Sequence, residues 1–568
     1  MAIRSFAKNS YRSILKWGDP HHFEEPKKRL IKYLKKNMGV TEEDFKNPHL
    51  PGLDKVKLDK LPALPESDIS ALKGIVGQGN VDTSDYERVK HSLGFTYLDI
   101  VKLRLEKVEP LVDVVVYPRN EDDVIAVVKF CNERKIALIP FGGRSSVTRG
   151  LEPIKGGISL DLTRHMNQVK KVNEINCSVT VEPGIIGPAY EDYLNNYKTP
   201  LSPGGYTNGH FPQSFEYSTV GGWVVTRGAG GLSTGYGKIE DMVLGLRFVT
   251  PQGLIVTKDF PRAATGPDLR HLVMGSEGTL GVLTEVTLKI WKFQPENRVY
   301  FSFLFKDWEE CVISMREIMQ GGFGFPHMFR ISDPEETSIA FVTEGISDTP
   351  IDKGLKMLGY KDGKRCLMLG SIEGDKDAGH LIKKKAKAIA KKHGAISFFG
   401  SIAVKAWYKH RYNDPYLREE LMDIKVMTDT LETACTWEDI PRLWAGVKKV
   451  VKARPSSICM VHASHCYENG ANLYFIFISR MKPDDMIDDF EKYHTSIINA
   501  IEQFGGGLSH PHGIGRMMAP WYEEYMGETS MNLLRAIKAY LDPNNIMNPG
   551  GTLGLDFTGE RRKAFSAK

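Results

Sequence analysis

Apolar positions change their spacing several times along the chain. Residues 1 to about 107 carry helical spacing, as over Lys27–Met38, where Leu30, Ile31 and Leu34 share one face of a lysine-rich segment. A Pro- and Lys-rich stretch, 50–65, reads as an extended linker. From about 108 short apolar runs take over. Residues 112–118 and 137–140 read as strands around a helix over 122–133, and the second strand runs into a glycine-rich loop. Residues 158–162, 178–182, 244–251 and 280–291 read as further strands. Near 293 a second β-α-β-rich block begins. Strands are predicted over 299–305, 366–371 and 472–479, with helices over 308–319 and 380–393. The tail from 506 returns to glycine, histidine and helix. Alternating strands and helices predict an α/β (α+β) protein in four parts: a helical N-terminal extension, 1–107; a first α/β domain, 108–292; a second α+β domain, 293–505; and a C-terminal segment, 506–568.

Composition narrows the class. The hydrophobic share is 41% and the charged share 26%, which is ordinary for a globular protein. A net charge of +5 over 568 residues gives no basic face for nucleic acid. The seven cysteines include no CxxC pair, so neither a disulfide framework nor a cysteine metal site is expected, and a reducing, cytoplasmic setting fits. No run reaches the ~20 apolar residues that span a bilayer. The N-terminus, with Arg4, Lys8, Arg12 and Lys16, lacks the apolar core of a secretory signal, and the terminal Ser566-Ala567-Lys568 is not the peroxisomal tripeptide. The lysine run over 27–38 reads as a solvated face, with contact to anionic lipid headgroups as the sharper alternative.

Three stretches carry the candidate chemistry. The first is Pro140-Phe141-Gly142-Gly143-Arg144-Ser145-Ser146, followed by Thr148 and Gly150. Its glycines let backbone N–H groups approach a pyrophosphate. It is neither a GxGxxG helix start nor a Walker loop. The second runs from Gln213 and Ser214 through Ser218, Thr219, Gly222, Thr226, Arg227 and Ala229 to Gly231. The third runs from Thr265 to Val282 and includes Glu277, Gly278, Thr279 and Gly281.

These stretches, above all "STVGGWVVTR" and "ATGPDLRHLVMGSEGTLGV", resemble the FAD-binding domain of the vanillyl-alcohol oxidase family. Within it the chain, from about 90 to 548, most resembles the alkyldihydroxyacetonephosphate (alkylglycerone-phosphate) synthases. The resemblance implies a two-part FAD-binding domain with an α+β cap. It puts 140–146 on the pyrophosphate and 213–219, 226–229 and 277–283 along the rest of the cofactor. Some members attach FAD through a loop histidine. No histidine lies between Pro140 and Gly150, so non-covalent FAD is expected.

Further along, Leu508-Ser509-His510-Pro511-His512-Gly513-Ile514-Gly515 places two imidazoles between glycines, and imidazoles exchange protons near neutral pH. The synthases carry three consecutive histidines here, and this chain has Pro511 in the middle. The resemblance makes Tyr474 the proton donor, His510 and His512 handlers of the substrate's protons, Arg418 the substrate-phosphate ligand and Arg330 an organiser of the flavin face. A guanidinium suits the phosphate because its fork donates two parallel hydrogen bonds. The stretch 430–437 resembles one that borders the synthases' cavity. Related D-2-hydroxyacid dehydrogenases bind a metal through two strand histidines and a glutamate; the matching positions here are Tyr467, Tyr474 and Pro511, so no metal is expected.

The implied reaction exchanges the acyl group of acyl-dihydroxyacetone phosphate for a fatty alcohol through flavin N5, without net redox change. The runner-up is an FAD-dependent D-2-hydroxyacid dehydrogenase that passes electrons to a partner, supported by Pro511 and the tail 542–550. The third class is a non-catalytic flavin-binding subunit. A phosphate-bearing lipid-like substrate, a homodimer and peripheral contact with a membrane surface complete the expectation.

Overall fold

The computed structural model describes residues 6–19, 21–22 and 26–553. Met1–Ser5, where Arg4 lies, and the terminal Phe565–Lys568 fall outside the described residues. Among the described residues, eighteen strands fall into four sheets. The first sheet contains β1 (Val81–Asp82), β2 (Val114–Val116), β3 (Leu138–Phe141) and β4 (Ile158–Asp161), in the order β1-β2-β4-β3. The second contains β5 (Val169–Asn173) and β6 (Ser178–Val181). After β7 (Tyr206–Thr207) it gains β8 (Val243–Thr250), β9 (Gly253–Val256) and β10 (Val282–Lys289), in the order β5-β6-β10-β8-β9. A short pair joins β7 to β11 (Trp291–Lys292). The large sheet is wholly antiparallel. It contains β12 (Val299–Phe305), β13 (Met328–Ser332), β14 (Cys366–Ile372), β15 (Ile396–Ser397), β16 (Val426–Thr436), β17 (Ile458–Ala463) and β18 (Gly470–Arg480), in the order β15-β12-β14-β13-β17-β18-β16.

Local chemistry explains the element that leads into the glycine loop. The helix Glu121–Arg134 starts where the Asn120 side chain accepts from Asp123 N, and three acidic residues fill its first turn. It ends at Lys135 in a left-handed conformation. Val124, Val127, Val128 and Cys131 form its buried stripe and pack with β2, β3 and β4. Each such buried side chain contributes roughly 1.5–3 kcal/mol. This helix carries the chain from β2 to β3, which run parallel on either side of β4, and aims the end of β3 at the loop after Phe141.

The N-terminal part is mostly helical, as expected, but it also supplies one edge of the first sheet: β1 pairs Val81 with Val116 and Asp82 with Val115. The C-terminal segment also closes that sheet. Leu138 N donates to Ile546 O, and Asn548 N donates to Leu138 O. The linker at 50–65 contains neither helix nor regular strand, as its Pro and Lys content predicts.

The N-terminal extension is fastened to the cap by ion pairs. Arg12 and Arg104 both bond Asp423, at 2.5 to 2.8 Å, and Lys16 bonds Glu420 at 2.8 Å. Arg12, Arg104 and Asp423 are buried. Removing one partner of such a pair costs far more than making the pair gains, because the other charge is left stranded.

Candidate active site

The glycine stretches converge through backbone contacts that no side chain fits. A Cβ on Gly143 would lie 1.7 Å from the Tyr217 carbonyl oxygen, and one on Gly142 would lie 2.5 Å from Thr219 Oγ1. Gly278, at φ +74°, would bring a Cβ to 3.0 Å from the Pro140 ring. The first stretch therefore lies directly on the second and the third. Thr219 caps the helix Val220–Thr226 by accepting from Gly222 N, and Trp223 Nε1 donates to Ser218 Oγ at 2.6 Å. Thr226 Oγ1 returns to Gly222 O, and Thr279 Oγ1 to Ser276 O. Pro140, Phe141, Ala229, Gly281 and Val282 supply walls and turns rather than polar side chains.

Several polar groups in this cradle are buried yet lack a hydrogen-bond partner among the described residues: Ser276 Oγ and both ring nitrogens of His210. Burial holds His210 neutral, with its pKa lowered to about 3. A neutral imidazole, a hydroxyl and exposed loop N–H groups fit a polar, uncharged flavin ring and its pyrophosphate. FAD thus fits the residues present.

Four of the residues assigned to the cofactor direct their side chains elsewhere. Arg144 donates to Ile14 O at 2.6 Å and Leu93 O at 3.1 Å and lies over the Phe95 ring, so it clamps the N-terminal extension onto the loop. Glu277 accepts from Ile514 N at 3.0 Å and Gly515 N at 2.9 Å, and from Thr552 Oγ1. Arg227 pairs with Glu240 at 3.0 Å on a partly exposed face. Gln213 is exposed and donates to Arg411 O. For these residues only the backbone remains to meet a cofactor.

The second half of the site rests on sheet register. Tyr474 on β18 stands directly opposite Glu432 on β16 and His462 on β17. Residues opposite one another in an antiparallel sheet share a face, so these three form one row. Thr430 and Asn472, two residues along, share that face. Tyr474 Oη donates to Thr430 Oγ1 at 3.1 Å, and its ring stacks on His462 with centroids 4.7 Å apart. Arg330 on β13 reaches the same row, donating to His462 Nδ1 at 3.0 Å and to Glu336 at 2.5 Å. Burial opposes the Glu336 charge, but Arg330 and His462 outweigh it and lower its pKa to about 2.

The loop 508–516 brings His510 and His512 to this row. His510 Nδ1 lies 3.0 Å from Glu432 Oε1, and His510 Nε2 lies 2.8 Å from Tyr467 Oη. His512 Nε2 is 3.7 Å from the other Glu432 oxygen, and its ring meets Tyr474 edge-on at 5.9 Å. Asn472 Nδ2 donates to Glu432 Oε1 at 2.7 Å. Burial disfavours the Glu432 charge, but the His510 hydrogen bond and His465 hold the carboxyl far below the usual carboxylate range. Burial keeps both His465, lowered to about 3, and His512 neutral. Burial also pushes the Tyr474 and Tyr467 phenols up, so both keep their protons at neutral pH.

The two halves share an anchor. Met517 N donates to Thr148 O at 3.1 Å, Arg516 donates to Arg149 O and Gly150 O, and Asn548 Nδ2 bonds both Gly150 O and Glu277 O. The histidine loop is therefore seated on the first and third glycine stretches.

The structure thus gathers Tyr474, His510, His512 and Arg330. Arg418 is set apart. It donates to Phe95 O at 2.7 Å and contacts Glu419, at the seam between the extension and the cap, and no hydrogen bond joins it to the histidine cluster among the described residues. Sequence reasoning missed Glu432, His462, His465, Tyr467 and Glu336 as participants. Glu432 lay inside the flagged stretch 430–437, and the spacing of His462 and His465 was the other available signal. Tyr467 is not on a strand. It sits in the turn between β17 and β18, where its N–H donates to Gly470 O.

Glu432, His465 and His510 stand close enough to hold a metal ion. Both His510 nitrogens and Glu432 Oε1 also take part in hydrogen bonds, whereas buried His465 Nε2 has no partner among the described residues.

Comparison with known proteins agrees with both halves. Residues 112–259 match the FAD binding domain, and residues 294–552 match the C-terminal domain of FAD linked oxidases. An alkyldihydroxyacetonephosphate synthase of Dictyostelium discoideum is 30% identical over 92% of this chain and 87% of its own length. A solved alkyldihydroxyacetonephosphate synthase structure superposes with a TM-score of 0.78 at 27% identity, over 95% of this chain and 99% of that one. A 4-ethylphenol oxidase from Gulosibacter chungangensis shares the fold, with a TM-score of 0.65 at 15% identity over 87% of this chain and 98% of that one.

Proposed function

The chain belongs to the FAD-linked oxidase family, on its alkyldihydroxyacetonephosphate synthase branch, and from this premise we propose that it is a flavoenzyme that makes an ether lipid precursor. It exchanges the acyl group of acyl-dihydroxyacetone phosphate for a fatty alcohol. Bound FAD, held without a covalent link, supplies the centre that lets one hard displacement run as two easier steps with no net oxidation. The loops 140–146, 213–219, 226–229 and 277–283 hold it.

The observation that carries this reading is a row of hydrogen-bonding side chains, Glu432, Tyr474 and His462, joined to the flavin cradle by the histidine loop. Tyr474 gives its proton to the departing group. His512, neutral and edge-on to that phenol, receives protons. Arg330 acts on Tyr474 through His462 rather than on the substrate. Arg418 holds the phosphate once the substrate displaces its contact with Phe95 O. The dehydrogenase alternative is weaker, because the similarity to the synthases extends over nearly the whole chain in both sequence and fold.

The same reading includes a homodimer, on resemblance alone, and a peripheral contact with the bilayer that supplies the lipid. The membrane contact is supported by the amphipathic, lysine-rich helix Lys376–Lys392 and by Leu381, Phe399 and Ile402, which are exposed in the same part of the cap. Among the described residues no helix is long and apolar enough to cross a membrane.

The deciding experiment supplies acyl-dihydroxyacetone phosphate and labelled hexadecanol anaerobically. Label is expected in the ether product with the flavin spectrum unbleached. Bleaching by D-2-hydroxy acids without exchange would overturn the reading.

A further inference from the structure

The bonded chain Glu432–His510–Tyr467 has no assigned role beyond that of its histidine. We infer that Tyr467 is a second acid–base phenol of the site, dedicated to the incoming alcohol and backed by His510 and Glu432; this rests on the synthase reading above.

The geometry fixes the direction of proton flow. Glu432 is ionised, so His510 Nδ1 must carry the proton that lies between them at 3.0 Å. His510 Nε2 lies 2.8 Å from the Tyr467 hydroxyl, and in the Nδ1–H tautomer that this carboxylate favours it accepts from that hydroxyl. An imidazole oriented by a carboxylate and bonded to a hydroxyl can serve as the base that draws on that hydroxyl. Tyr474 has no such backing. Its hydroxyl donates to Thr430, and its neighbour His462 is stacked on it and occupied by Arg330.

Position agrees. Tyr467 is half-buried in the β17–β18 turn, where the cap meets the cofactor domain. Lys238 Nζ donates to His510 O at 3.2 Å, and Ile239 N donates to Gly228 O in the second glycine stretch. The phenol thus faces the seam between the histidine loop and the cradle. The charged and titratable groups around the pair are Glu240 and Asp241 on the helix Ile239–Met242, Lys238 beside it, Cys466 and His465 in the turn, Glu432 on β16 and His512 on the loop itself.

The exchange leaves one proton to place. The acyl group leaves with the Tyr474 proton, which its acid returns to that phenol as it ionises to the carboxylate, the alcohol oxygen forms the new C–O bond, and the alcohol O–H bond breaks. Its proton passes to the Tyr467 oxygen as the phenol's own proton passes to His510 Nε2. Glu432 stabilises the imidazolium until the proton reaches solvent. Charge and atoms balance without an oxidant. Tyr467 is then the group that touches substrate, and His510 and Glu432 are positioning and relay residues.

The test compares wild type, Tyr467→Phe and Glu432→Gln as FAD-loaded full chains. Tyr467→Phe should retain its flavin and its KM for acyl-dihydroxyacetone phosphate and lose about 10²–10⁴-fold in kcat. Glu432→Gln should retain flavin and lower kcat, because the carboxylate that orients His510 Nδ1 is lost. An activity-independent readout is ¹⁵N NMR of histidine-labelled protein, with His510 assigned by its loss in His510→Gln. Its Nδ1 should be protonated and its Nε2 bare, and the Nε2 shift should change in Tyr467→Phe. Full kcat with an unaltered pH profile in Tyr467→Phe, or a protonated Nε2 at neutral pH in wild type, would overturn the inference. A wild type that shows the bonded tautomer but no exchange would instead overturn the synthase reading.

Discussion

The flavin cradle and the histidine–tyrosine cluster stand against each other, yet they are built on opposite principles. The cradle is made of backbone: three contiguous, glycine-rich stretches whose carbonyls and N–H groups pack where a Cβ would collide. The cluster is made of side chains drawn one or two at a time from β13, β16, β17, β18 and the loop 508–516. The first selects its ligand by close approach, the second by hydrogen-bond connection. The difference teaches that damage should separate cleanly. Backbone lesions should remove the cofactor, and side-chain lesions should spare it while stopping proton transfer. Only the joint between the regions, Glu277 with Asn548 and Thr148, should couple the two losses.

The strongest way to break this division is at Gly143. Its Cβ position overlaps the Tyr217 carbonyl. Gly143→Ala is expected to cost about 3 kcal/mol or more in stability and to purify without flavin. Thermal unfolding and the visible flavin spectrum read the two effects, and a stable variant with stoichiometric flavin would dissolve the backbone account of the cradle.

The joint is the next target. Glu277→Ala strips the partner from Ile514 N, Gly515 N and Thr552 Oγ1, in a partly buried place. About 2–3 kcal/mol of stability should go, with faster hydrogen exchange over residues 508–516 and a joint fall in flavin affinity and kcat. A fall in only one of the two would show that the halves are not coupled here.

The smallest effect concerns acid. Glu336 has its pKa lowered to about 2 from 4.5 in the folded protein. A depressed carboxyl contributes stability that is complete above its unfolded pKa and is lost as pH falls toward the folded value. Melting temperature should therefore drop between about pH 4.5 and about pH 2, and Glu336→Gln should flatten that limb by roughly 1–2 kcal/mol. An unchanged slope would mean that the Arg330–Glu336–His462 contact carries no net stability.

How much of this was legible in the chain follows from the same contrast. The strand–helix–strand lead into Gly142 was readable because apolar periodicity and the Asn120 cap are local. The FAD motifs were readable because each is continuous, and the resemblance they carry named the cofactor. Tyr474, His510, His512 and Arg330 were named from that resemblance, and the fold does gather them. Arg144, Glu277 and Gln213 were assigned to the cofactor by their place in a motif, but a motif does not say where a side chain points. The early strand β1 was missed because two residues have no period.

By itself the sequence determined the class of fold, the order of the elements and a flavin site, since these depend on propensity and on glycines that only close approach demands. Tertiary structure alone decided which carboxylate serves which imidazole. Glu432 is 78 residues from His510, and Tyr467 is 43. Nothing local in the chain encodes those partners. The register of β16 on β18, and the seating of one loop on two others, bring them within a hydrogen bond. That bonding is what turns a glycine loop's neighbour into a place where protons move.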